Sequence, residues 1–196
     1  LIMNKEGESE ITVDNLEVAQ FIYLMLNNKK IRDVIDAITT KSVLILGRFT
    51  KERKAVLDAL RKELRRNGYV PVIFDFDKPR DKDFTETLMT LAGMCLFIIA
   101  DVTNPKSSPL ELQATVPNYM TPFVPIIEKG EEPFSMFSDI KGKFPWVLDP
   151  LEYNGIPNLL RALKKGIIQR AIKKHEELII QKNKDFTTLH ADDFQE

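Results

Sequence analysis

Apolar residues recur at two different periods along this chain, and the change from one to the other divides it. In the first forty residues the period is helical. Asp14-Asn-Leu-Glu17 sets an acid three residues after a capping side chain, the spacing of a capping box. Val18, Phe21, Ile22, Leu24, Met25 and Leu26 follow it. Asn27-Asn28 breaks that helix, and a second begins near Lys30 with Ile31, Val34, Ile35 and Ile38 at helical spacing. Residues 1–10 read as a frayed linker.

From Ser42 onward short apolar runs alternate with amphipathic stretches. Residues 43–46, closed by Gly47, carry no polar alternation and read as a strand buried on both faces. Residues 51–67 form a helix with Ala55, Val56, Leu57, Leu60 and Leu64 inward, and Gly68 supplies its stop. A second strand spans 69–76, followed by a charged loop over 77–83 that contains Pro79. A helix over 84–93 repeats the capping spacing at Asp83 and Glu86. The most hydrophobic strand covers 95–100, and a short helix over 108–119 is entered through Pro109, a residue suited to the first helical turn. A fourth strand spans 123–128, an irregular stretch 129–143, and a short fifth strand 146–148. A long helix runs from Pro157 to about Lys182, and the tail beyond Asp185 reads as loose.

Strands separated by helices of this length fold as right-handed βαβ units and form a parallel sheet. The predicted fold is therefore α/β, a flavodoxin-like, doubly wound, five-stranded parallel sheet of order 2-1-3-4-5. It divides into a linker and helical extension over 1–40, the α/β domain over 41–182 and a tail over 183–196.

Composition narrows the partners. A hydrophobic share of 43% supports a real core. With 28 Lys and Arg against 29 Asp and Glu, the chain has no basic excess with which to grip nucleic acid. Lys51, Arg53, Lys54, Arg61, Lys62, Arg65 and Arg66 make one helix basic, but interleaved acids suit a solvated face. The lone Cys95, set in an apolar run, reads as a buried thiol of a reducing compartment, so a cytoplasmic location is expected. No apolar run approaches the roughly 18 residues of a membrane span, and no membrane partner is expected. His175 and His190 stand apart from Cys95, so no metal-ligand spacing and no Ser/His/Asp set appears. Position 1 is Leu rather than Met, from which the chain is expected to be part of a longer protein.

Ligands of such sheets bind outside the carboxyl ends of the strands, where the winding reverses. That rule selects Gly47, Arg48 and Phe49 after the first strand. After the third it selects Asp101, Val102, Thr103 and Asn104, then the Ser108-Pro109-Leu110-Glu111 turn. A guanidinium, an aromatic ring, two carboxylates and a helix N-terminus suit a sugar–phosphate or nucleotide. Each has a plainer role as well. Ser108 and Glu111 have ordinary capping spacing, Asp101 suits an Asx turn, Arg48 a solvated loop, and Gly47 a tight strand-to-helix turn. The run Gly47-Arg48-Phe49-Thr50 lacks the Gly-rich pattern of a P-loop or dinucleotide fingerprint, and no cofactor is expected.

The segments SVLILGRFTKERKAVLDALRKEL, VPVIFDFDKP and LFIIADVTNPKSSPLELQ together resemble a bacterial TIR-like (Toll/interleukin receptor-like) domain over about residues 42–165. Such domains are often found at the end of longer proteins, including pentapeptide-repeat proteins. ADVTNPKSSPLEL is also similar to the nucleoside deoxyribosyltransferase-like relatives of that fold. In both groups a Glu early in the helix after an acidic strand end is the catalytic carboxylate at an N-glycosidic bond, and the matching position is Glu111. The resemblance implies NAD or a similar nucleotide as substrate, cleavage of a nicotinamide–ribose bond, and self-association. By position, Phe49 is expected to stack on a base, Arg48 to hold phosphate, and Asp101 or Ser108 to bond a ribose hydroxyl. The chain departs from the pattern in having Pro109 and Leu110 where TIR enzymes commonly carry a Trp-Cys pair. Many TIR domains are adaptors, so a non-catalytic assembly module is the alternative reading, and a deoxyribosyltransferase-like enzyme a third.

Overall fold

The uninterrupted apolar run Ser42–Gly47 (β3) is wholly buried and lies near the middle of the sheet, as its lack of polar alternation requires. In the computed structural model, which describes residues 2–3, 11–75, 82–103, 120–133 and 137–184, β3 pairs in parallel with Val70–Asp75 (β4) on one side and Phe97–Asp101 (β5) on the other. Phe123–Glu128 (β6) pairs with β5, and Leu151–Tyr153 (β7) with β6, all in parallel. The order is β4-β3-β5-β6-β7, the flavodoxin-like 2-1-3-4-5 arrangement read from the sequence.

Side chains alternate between two cores because successive residues of a strand point to opposite faces. Val43, Ile45, Phe97 and Ile99 meet Leu57, Leu60 and Leu64 of helix Lys51–Arg66 (α3) and Leu159, Leu163 and Ile167 of the terminal helix. Leu44, Leu46, Ile98 and Ala100 meet Leu88 and Ala92 of helix Lys82–Met94 (α4) on the opposite face. Phe137 and Ile140 of helix Phe137–Lys143 (α5) join that second core. Cys95 is buried there too, and burial raises its thiol pKa although Ser42 partly offsets this.

Several elements differ from the sequence reading. Ile2–Met3 (β1) and Ile11–Thr12 (β2) pair antiparallel where a linker was expected. Helix Leu16–Asn27 (α1) is capped by Asn15, whose side chain accepts from the Val18 amide at 2.9 Å, so the cap lies one residue beyond Asp14. Asn28 ends α1 and caps helix Lys29–Lys41 (α2), so the break falls as expected. Helix α4 starts at Lys82, which puts Asp83 inside its first turn instead of at the cap. Helix α5 occupies the end of the stretch read as irregular; its buried residues Phe137 and Ile140 have the spacing of one helical face, a signal too short to separate from loop.

The fifth strand is also displaced. Val147 makes only an isolated bridge to Phe123, and the ladder resumes at Leu151 opposite Ile126 after slipping by one residue. Pro150 has no amide to donate, which breaks the run just before β7. The terminal helix opens at Gly155 (α6, Gly155–Ala162), passes through a π-helical stretch Leu163–Ile168 and continues as Gln169–Lys184 (α7). Leu178 is buried, whereas Ile179 and Ile180 remain exposed. No helix among the described residues is long and apolar enough to cross a membrane. The predicted helix over 108–119 lies outside the described residues.

Candidate active site

The reversal of winding places the carboxyl ends of β3 and β5 side by side, and a buried polar cluster stands there. Its centre is Asp101, the last residue of β5, whose side chain is only 2% exposed. Asp101 Oδ1 accepts from the Thr103 amide at 3.1 Å, the Asx-type turn expected of an Asp at a strand end. Asp101 Oδ2 lies 2.9 Å from Nε of Arg53, a close ion pair whose N–H is not aligned as a hydrogen bond. The Arg53 side chain is 12% exposed; it also donates from Nη1 to Glu128 Oε2 at 2.5 Å and from Nη2 to the Tyr153 hydroxyl. Thr103 closes the ring, its Oγ1 accepting from the Glu128 amide at 3.0 Å.

Four elements are thus tied at one edge. Arg53 comes from the first turn of α3, Asp101 ends β5, Glu128 ends β6 and Tyr153 ends β7. Burial pushes the Asp101 carboxyl above its ordinary range; Arg53 and the hydrogen bonds of Thr103 pull against the shift without cancelling it. Loss of water works against the charged Arg53, but Asp101, Tyr153 and Glu128 outweigh it, so the guanidinium holds its proton more firmly than usual. The Tyr153 phenol is pushed up to about 12, by burial first and then by the Asp101 charge, and stays neutral near pH 7.

Two carboxylates against one guanidinium leave the cluster with one formal negative charge in excess. That excess attracts a cation or a hydroxyl donor. Glu128, with 43% of its side chain exposed, is the member that faces solvent.

Of the residues selected by sequence, Gly47, Asp101 and Thr103 come together. A Cβ built on Gly47 would lie 3.4 Å from Asp101 Cβ and 2.8 Å from a Leu57 methyl, so glycine here allows α3 and β5 to approach. Its backbone angle is ordinary, and the close packing, not an unusual turn, is what calls for it. Arg48 is half-buried in the loop that follows. Phe49 lines a cavity of about 310 Å³ against α3 and β4, where Lys54 Nζ lies 5.8 Å from its ring centre. Ser108 and Glu111 lie outside the described residues.

Arg53, Glu128 and Tyr153 were missed by the sequence reading, though signals existed. A cation in a first helical turn opposes the helix dipole, so Arg53 needed a carboxylate partner. Glu128 and Tyr153 end strands at the same carboxyl edge that selected Gly47 and Asp101. Among the described residues no group of His, Cys, Asp and Glu is arranged to hold a metal ion.

Neither a protein-family model nor a curated protein matches the chain. Among solved structures it is similar to a diflavin flavoprotein from Nostoc sp., at 10% identity and TM-score 0.49, over 74% of this chain and 98% of that one. It is also similar to a CMP N-glycosidase from Clostridium botulinum, at 15% identity and TM-score 0.49, over 64% of this chain and 99% of that one. A flavodoxin from the domain Archaea aligns at 12% identity and TM-score 0.44, over 70% of this chain and 99% of that one.

Proposed function

We propose that this chain is a TIR-like nucleotide-binding domain that cleaves the nicotinamide–ribose bond of NAD, with Glu111 as its catalytic carboxylate. The observation that supports it best is the buried cluster around Asp101 at the switch point of the sheet. Rupture of an N-glycosidic bond to nicotinamide starts from a cationic base and passes through an oxocarbenium-like sugar. A crevice edge with one excess negative charge favours that positive charge over neutral or anionic states. Glu128, the member that faces solvent, supplies a carboxylate of the kind that accepts from a ribose hydroxyl. Arg53 acts as a positioning residue, fixing Asp101 and Glu128. Glu111 takes its role from the sequence resemblance alone.

The test is nicotinamide release from NAD by concentrated protein, with Glu111→Gln alongside. Release that disappears in the variant supports the reading, and release that survives the substitution removes Glu111 from it.

A second reading has its own observation. Val18, Phe21, Tyr23 and Leu24 of α1 and Val34 of α2 are exposed, and Phe21, Met25, Ile31 and Ile35 line an apolar cavity of about 710 Å³. Exposed apolar area of this kind marks contact surfaces. An assembly module would use it and would release no nicotinamide in any assembled state.

A further inference from the structure

Part of the basic stripe of α3 borders a cleft. Lys54, Arg61 and Arg65 stand on the side of the helix that borders edge strand β4, and together with Asp58 they rim the cavity of about 310 Å³ that Phe49 lines. Leu57, Pro71 and Ile73 give that cavity an apolar floor. It is separate from the Asp101 cluster: none of Arg53, Asp101, Thr103, Glu128 or Tyr153 lines it. Asp58 pairs with Arg61 at 3.2 Å, and the four charged rim residues leave a formal excess of two positive charges.

Three physical features then act on one ligand. The volume lies at the small end of the range for small-molecule sites, enough for one heterocycle and its substituent. An aromatic wall over an apolar floor selects a flat ring. Arg61 and Arg65 lie four residues apart on one helix face, where two guanidinium forks can share a tetrahedral oxyanion. An excess charge of two matches the roughly −1.5 to −2 that a phosphomonoester carries at pH 7.

We propose that this cleft is a binding site for a nucleoside monophosphate, with the base against Phe49 and the phosphate on Arg61 and Arg65. The site is independent of the reading of Glu111. It also gives Phe49 a base-stacking role, on the β4 side of α3.

The experiment is calorimetric titration of the full chain with AMP, with adenosine and with inorganic phosphate. AMP is expected to bind at least about tenfold more tightly than either fragment, since each supplies one of two contacts. Arg65→Ala and Arg61→Ala are each expected to weaken AMP about tenfold, the scale of one charge-assisted hydrogen bond. Arg65 is exposed and its loss disturbs no core packing, so its variant remains informative if Arg61→Ala misfolds through Asp58. Phe49→Ala should weaken AMP and leave phosphate unchanged. Arg66→Ala, on the same helix but outside the cleft, and Glu111→Gln should leave AMP binding intact. No AMP binding at about 10 mM overturns the proposal. So do equal affinities in Arg65→Ala and Arg66→Ala, or loss of binding in Glu111→Gln.

Discussion

Replacing Arg53 with Met removes the only guanidinium of the cluster and keeps most of its apolar stem. Asp101 would then remain with its side chain 2% exposed and no ion-pair partner among the described residues. Removing one partner of a buried pair costs about 3–5 kcal/mol, because the remaining charge is neither solvated nor matched. A second limit points to the same size. Asp101 can escape the penalty by taking up a proton, which for an ordinary aspartate at pH 7 costs about 4 kcal/mol. The hydrogen bond to Tyr153 adds about 1 kcal/mol. A loss of about 4 kcal/mol at pH 7 is a large share of the 5–15 kcal/mol typical of a domain.

The pH dependence identifies the cause. Burial already raises the Asp101 pKa above its unfolded value, and losing Arg53 raises it further. A raised folded pKa gives stability that is present below the unfolded pKa and lost as pH rises through the folded one. Arg53→Met should therefore be least damaging in acid, and its deficit should grow by up to about 1.4 kcal/mol per pH unit towards neutrality. Urea unfolding followed by Trp146 fluorescence at pH 5 and pH 7 reads this directly. The double variant Arg53→Met with Asp101→Asn should recover a large part of the loss at pH 7. A deficit below about 1 kcal/mol that does not change with pH would refute the reasoning, since that is the behaviour of a solvated surface pair.

Three further expectations follow from particular residues. Gly47→Ala should lose about 1 kcal/mol in urea unfolding, because its Cβ would sit 2.8 Å from a methyl of the buried Leu57, whose side chain must turn aside. A fully tolerated alanine would show that α3 packs loosely on β3. Tyr153, raised to about 12, adds stability that is present below pH 10 and lost as pH climbs through about 12. Phenolate absorbance should show a phase near pH 12, beside a Tyr69 that burial also raises, and Tyr153→Phe should remove that phase. Asn15→Ala should cost about 1 kcal/mol through loss of the Val18 amide's partner, and Asp14→Ala much less. Equal losses in thermal unfolding would mean that the cap is shared.

The sheet was legible because its strands are buried on both faces and therefore appear as unbroken apolar runs, most clearly at Ser42–Gly47 and Phe97–Asp101. The lengths of the connections implied parallel βαβ units, and five such strands implied the flavodoxin-like order. What escaped was short or distributed. The β7 ladder resumes only after Pro150, so the apolar residues at 146–148 looked like the strand itself. Helix α5 spans seven residues, too few for periodicity to separate from loop. In the site, Gly47, Asp101 and Thr103 were found by the strand-end rule. Arg53, Glu128 and Tyr153 were not, since their meeting depends on side chains reaching across separate elements that share no local spacing.

The central claim is that the crevice between the carboxyl ends of β3 and β5 is where a ribose and its base are held. Backbone amide NMR of the Glu111→Gln protein titrated with nicotinamide riboside tests it most directly. That ligand lacks the phosphate that would draw it to the α3–β4 cleft. The account predicts shifts concentrated at Gly47, Arg48, Asp101, Thr103 and Glu128, with α1 and α2 unmoved. Shifts confined to Phe21, Ile31 and Val34, or none at saturating ligand, would contradict it.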